Sequence, residues 1–202
     1  ELDAEWVSFE GRIYDNFDRE GNVSEEAEYN PELGVAWGVD DGYAHGGGPG
    51  SADYHPRVIV FGQRTHNGGL HIFAEYYRTL EPDYALTIEN LRALGYPDPD
   101  LASVDSSATM FRAALSGHGI HNVGATHPVQ EGIKHLRQLI CDGNGVRLLK
   151  IHPRCTHLIR ELQMYRYATG IQARGGEPMP EKMDDHGPDA LRYLAWRYRY
   201  EV

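Results

Sequence analysis

The sequence predicts an α/β domain built on a mixed β-sheet, and three observations carry that prediction. Apolar runs of strand length recur at 34–40, 57–63, 70–77, 101–105, 120–124 and 146–151. The first three come in succession, while the later ones alternate with amphipathic stretches of helical length. A chain of 202 residues, 41% of them hydrophobic, can bury one good core.

Residues 1–33 are polar, acidic and weakly periodic, with Trp6, Phe9, Ile13, Tyr14 and Phe17 as scattered anchors. They read as an extended arm or linker lying on a domain formed by 34–202. GVAWGVD at 34–40 is a short apolar run ending in acid, which suggests a buried strand with Asp40 near its C-terminal end. Residues 41–56 are a glycine-rich loop whose GGGPG run lacks the GxGxxG spacing of a phosphate cradle. RVIVFGQ and LHIFAEYY alternate around a His-Asn-Gly-Gly turn, the pattern of a β-hairpin.

A helix is expected across 83–95, stopped by Gly95 and Pro97. LASVD at 101–105 is a second buried strand ending on aspartate, after which Ser106 or Ser107 can cap a helix through Leu115. A short strand near 120–124, a helix over 128–141 with Ile133, Leu136, Leu139 and Ile140 on its apolar side, a strand at 146–151 and a helix from Pro153 to about Ala168 follow. Residues 169–182 form a Gly- and Pro-rich loop that delivers Arg174 and Lys182 to the last helix. That helix is amphipathic from Ala190 onward, with Leu191, Leu194, Ala195 and Tyr198 on one stripe.

At the start of the last helix stand Asp184, Asp185, His186 and Asp189. One reading is plain: Asp185 caps the first turn, Pro188 is tolerated there, and Asp189 is solvated. The other is that a carboxylate here completes a metal site begun by Asp40 and Asp105. In open α/β sheets functional groups collect at the carboxyl ends of strands, so parallel neighbouring strands would aim both aspartates into one crevice. Three carboxylates together repel unless a cation holds them, and hard oxygen donors suit Mg²⁺ or Mn²⁺. Two such ions, about 3.5–4 Å apart, polarise a scissile phosphate and activate water.

The remaining composition sets limits. No apolar run approaches bilayer length, and the N-terminus lacks a basic-then-apolar leader. Cys141 and Cys155 form neither a CxxC pair nor a disulfide framework, so reduced thiols in a cytosolic setting are expected. His118, His121 and His127 lack zinc-site spacing. The formal net charge of −11 opposes nucleic-acid binding by the chain as a whole, but it is unevenly spread. Eleven acids face only Arg12 and Arg19 in the first 33 residues, whereas 132–174 is basic. Fields between exposed charges are screened within about 8–10 Å, so one basic face can coexist with an acidic total. Lys134, Arg137, Lys150, Arg154 and Arg174 are candidates to track phosphates, or else a solvated face of ion pairs.

DDHGPDALRY, at 184–193, resembles the C-terminal signature of the nuclease domain of tailed-phage terminase large subunits, the DNA-packaging motors. EGRIYDNFDR, GVAWGVDDG, ASVDSSA and the stretch 132–167 are similar to other parts of that domain, in the same order. The resemblance implies a ribonuclease H-like fold, a mixed central sheet with helices on both faces. It also implies a metal-dependent endonuclease that cuts concatemeric double-stranded DNA using Mg²⁺ or Mn²⁺, with two ions expected. Carried over by position, Asp40, Asp105 and Asp185 are the catalytic, metal-binding acids, with Asp184, His186 and Asp189 as neighbours.

The resemblance further implies an N-terminal ATPase domain ahead of the arm, portal and small-subunit partners, and action in the cytoplasm of an infected bacterium. No GxxxxGK[ST] motif occurs in these residues, so they are not expected to hydrolyse ATP. Two other readings stay open: a junction resolvase or transposase-type nuclease of the same fold, and a non-catalytic module docking on a portal or motor subunit.

Overall fold

The structure, a computed structural model, describes residues 11–42, 55–168 and 179–200. The expected glycine-rich segment of the first loop, the part of the last loop that holds Arg174, and residues 1–10 of the arm lie outside these residues. Six strands form one sheet: β1 (Ala36–Asp40), β2 (Arg57–Arg64), β3 (Leu70–Arg78), β4 (Leu101–Asp105), β5 (Asn122–Ala125) and β6 (Leu149–Ile151), in the order β5-β4-β1-β2-β3-β6. β2 runs antiparallel to β1 and β3, whereas β4 is parallel to β1, β5 to β4 and β6 to β3. The β2–β3 connection is the predicted tight turn, with Gly68 at φ +81° where a side chain would be strained.

Besides a single helical turn, α1 (Arg19–Asn22), the described residues form five longer α-helices: α2 (Tyr84–Ala93), α3 (Thr109–Gly117), α4 (Val129–Ile140), α5 (Thr156–Met164) and α6 (His186–Arg197). Strand alternation sorts the core onto two faces. Trp37, Val39, Phe61, Phe73, Ala102 and Val104 pack with α2 and α3. Ala36, Val58, Val60 and Ile72 pack on the other face with α4, α5 and α6. No described helix is long and apolar enough to cross a membrane.

One local expectation is corrected. Neither Ser106 nor Ser107 caps α3; the helix begins after Ala108 without a side-chain cap, and Ser107 instead donates from its N–H and hydroxyl to Asp105 Oδ1. The last helix begins at His186, with Pro188 and Asp189 in its first turn, where the reading of Asp185 as the residue before that turn puts them.

Residues 11–33 are stitched to the body. Ile13 and Tyr14 are buried, and Asn22 donates to Ile140 O and Leu149 O at 2.8 and 3.0 Å. The basic candidates largely serve this join. Arg137 pairs with Asp15 at 2.7 Å, Lys150 donates to Gly21 O at 2.7 Å, and Arg154 bonds Glu28. At Arg137 and Arg154 opposite charges carried by two distant segments therefore meet within the fold, which is the ion-pair alternative for those two residues.

The N-terminus of α5 is capped from the sheet: Glu75 accepts the His157 and Leu158 N–H groups, each at 2.9 Å. Burial pushes the Glu75 carboxyl up to about 7, outweighing those two hydrogen bonds. A raised folded pKa favours the protonated form, so this contribution to stability is full below the unfolded value of 4.5 and is lost as pH rises through about 7. Glu75→Gln is expected to flatten that fall, read as melting temperature against pH from about 4 to 8. An unchanged slope would assign the pH dependence elsewhere.

Candidate metal centre

β1 and β4 lie side by side in register, Val39 opposite Val104, so the next residues, Asp40 and Asp105, leave the sheet at the same end. α6 crosses over β1 with its N-terminus above that end, because Gly38 lets the helix backbone settle on the strand. A Cβ at position 38 would stand 2.1 Å from Ala190 O. The result is a crevice of about 430 Å³ lined by Asp40, Asp105, Asp185, His186 and Asp189, with Asp41, His55, Lys182 and Tyr193 around them. Carboxylates from two strands and one helix, drawn from widely separated parts of the chain, thus share one cavity.

The three aspartates of DDHGPD are not equivalent. Asp184, at φ +52°, is not part of the lining and binds Arg160 Nη2 at 2.8 Å. Asp189 is neither exposed nor solvated: Arg192 Nη2 lies 2.8 Å from its Oδ1, and the Tyr165 hydroxyl donates to the same oxygen at 3.3 Å. Asp185 precedes the helix but has helical backbone angles and makes no capping bond, which corrects the plain capping reading. Its carboxylate faces Lys182 Nζ at 3.2 Å and His186 Nε2 at 3.8 Å.

His186 donates from Nδ1 to Asp40 Oδ2 at 2.8 Å. Burial pushes the Asp40 carboxyl up to about 6; the His186 hydrogen bond pulls it back, and Asp189 and Asp185 add repulsion. Lys182 Nζ also stands 3.6 Å from Asp189 Oδ2 and so spans two of the acids. Among the described residues no trio of His, Cys, Asp or Glu side chains is already drawn around one point at ligand spacing. Asp40 is turned to His186, and Asp185 and Asp189 share Lys182. The donor set still fits a hard divalent cation: the donors are carboxylate oxygens, they crowd one another, and Asp40 carries the electrostatic cost that a cation would relieve.

Sequence reasoning missed Asp41, His55, Lys182 and Tyr193 as lining groups. Lys182 alone had a local signal, a cation placed three residues before Asp185.

A mixed sheet of this order, covered by helices on both faces and holding its acids at the carboxyl ends of β1 and β4, is the ribonuclease H-like class of α/β fold. Within that class the chain carries the fold of phage large terminase nuclease domains. A large terminase from a thermophilic bacteriophage superimposes with a TM-score of 0.74 at 24% identity, over 94% of this chain and 46% of that one. The nuclease domain of the bacteriophage SPP1 large terminase, solved with bound Mn, gives 0.62 at 23% identity over 90% and 98%. The large terminase nuclease of thermophilic phage G20c, solved with bound magnesium, gives 0.57 at 16% identity over 95% and 98%. The chain therefore spans less than half the length of the first of these terminases. No protein-family model matches it, and no curated protein sequence does.

Proposed function

We propose that this chain is the nuclease domain of a phage DNA-packaging terminase, a metal-dependent endonuclease acting on concatemeric double-stranded DNA. The observation that carries the reading is the convergence of Asp40, Asp105, Asp185 and Asp189 on one crevice. Asp40, Asp105 and Asp185 would hold Mg²⁺ or Mn²⁺, as a pair of ions, and Asp189, clamped by Arg192 and Tyr165, would form the fixed wall behind them. Bound there, such ions supply Lewis acidity toward the scissile phosphate and lower the pKa of the attacking water.

The chain's own groups prepare the site. His186 orients Asp40 by its 2.8 Å hydrogen bond. Ser107 fixes one oxygen of Asp105. Lys182 balances Asp185 and Asp189, so an incoming divalent ion must displace it or share the acids with it. An ATPase domain, a portal and a small subunit belong to the same proposal, and the match of this chain to part of a longer large terminase speaks for the first of these alone.

The test is cleavage of supercoiled plasmid with Mn²⁺ or Mg²⁺, by the wild type and by Asp105→Ala. Wild-type cutting that chelator abolishes, and that the variant lacks, is the expected result. Equal nicking by the two, or a melting temperature indifferent to Mn²⁺, would overturn the reading, since a ligand that binds only the folded state must raise it.

A further inference from the structure

The residue before a helix normally turns its side chain back to accept the N–H of the second or third helical residue. Asp185 holds that position and does not do so. The donor it leaves is met from elsewhere: Gly187 N–H donates to Glu161 Oε2 at 2.7 Å, across 26 residues of sequence. Glu161 lies on α5, has no exposed surface, and takes the Tyr77 hydroxyl of β3 on its other oxygen. Its neighbour Arg160 binds Asp184 Oδ1 at 2.8 Å. Two consecutive residues of α5 therefore grip the chain on either side of Asp185.

We propose that Glu161 is a positioning residue for the metal centre: it caps α6 in place of Asp185, and so leaves the Asp185 carboxylate turned into the crevice. The proposal rests on reading that crevice as a metal site. A buried carboxylate is costly unless it is hydrogen-bonded, and a helix N-terminus provides both a donor and a favourable dipole. The local sequence agrees. A Cβ at position 187 would come within 2.9 Å of Glu161 Oε2 and 3.2 Å of Leu158 Cδ1, so glycine lets the carboxylate reach the backbone. Were Glu161 withdrawn, the nearest carboxylate in sequence able to serve the first turn would be Asp185 itself, drawn away from the cavity.

Two substitutions separate reach from charge. Glu161→Gln keeps an oxygen at the same distance, and Glu161→Asp keeps the charge but falls short by one methylene. Mn²⁺ binding without DNA, read from the electron paramagnetic resonance signal of free Mn²⁺, should weaken about tenfold or more in Glu161→Asp and by less than about threefold in Glu161→Gln, the larger change being the range seen when the groups that orient metal ligands are lost. A folded Glu161→Asp that binds Mn²⁺ like the wild type, or a Glu161→Gln as weak as Glu161→Asp, overturns the proposal. Amide exchange in the wild type provides a second arm that needs no variant to fold. Gly187 N–H should be protected although it lies in a first turn, and fast exchange there overturns the remote cap. A wild type that takes up no Mn²⁺ overturns the proposal together with the metal reading, and the Gly187 exchange rate tells the two failures apart.

Discussion

Asp40→Asn is expected to lose metal-dependent cleavage by about a thousandfold or more, yet to melt higher than the wild type in metal-free buffer at about pH 7.5. The loss follows from removing one anionic ligand, since metal stabilisation of developing charge amounts to several kcal/mol and each step of about 1.4 kcal/mol is about tenfold in rate. The gain follows from burial, which raises the Asp40 carboxyl to about 6 with Asp189 and Asp185 pushing the same way. Because the folded pKa exceeds the unfolded one, Asp40's contribution to stability is full below the ordinary value of 3.8 and is lost as pH rises through about 6. Above that pH the wild type carries the full cost of an ionised Asp40, while an asparagine carries none and still accepts from His186. Plasmid nicking rates and calorimetry in chelator check the two halves separately. A variant that melts lower than the wild type would mean the His186 contact outweighs the repulsion.

Gly38→Ala should be the most damaging single methyl in the described structure. The added carbon would meet Ala190 O at 2.1 Å and Leu194 Cβ at 2.8 Å, and the first of these is backbone within a helix. No rotamer change relieves it, so α6 must lift or β1 must bow. Overpacking costs roughly 1–3 kcal/mol, and this contact belongs at the upper end, about 3 kcal/mol. For a domain of this size that lowers the melting temperature by roughly 6–12 °C. Since α6 also carries Asp185 and Asp189 over the strand ends, cleavage should fall along with stability, even at temperatures where the variant is folded. Thermal unfolding, with cleavage measured well below the transition, tests both effects. A melting temperature within a degree or two of the wild type would show that the helix is not seated on Gly38 as described.

The order of elements was legible because each strand and helix announces itself locally, by alternation, by apolar runs ending on acid, and by glycines at the stops. Asp40 and Asp105 stood out for the same reason, as charges at the ends of buried strands. The misreadings were of another kind. Asp185 was a fair cap by local rules, Ser106 and Ser107 likewise, while Arg137, Lys150 and Arg154 could be read locally either as a phosphate track or as members of ion pairs. The cap and two of the arginines were diverted by partners on other elements, distant in sequence: Glu161 for the cap, Asp15 and Glu28 for Arg137 and Arg154.

Short windows of residues therefore suffice for the α/β class, the sheet's members and the two strand-end acids, because hydrophobic period and turn chemistry act over a few neighbours at a time. Long-range packing settles the rest: β4 lies against β1, α6 lays Asp185 and Asp189 beside their aspartates, and Asp184 turns away to Arg160. Those choices depend on strand order and on one helix pressed against a glycine, and neither is written in the spacing of neighbouring residues.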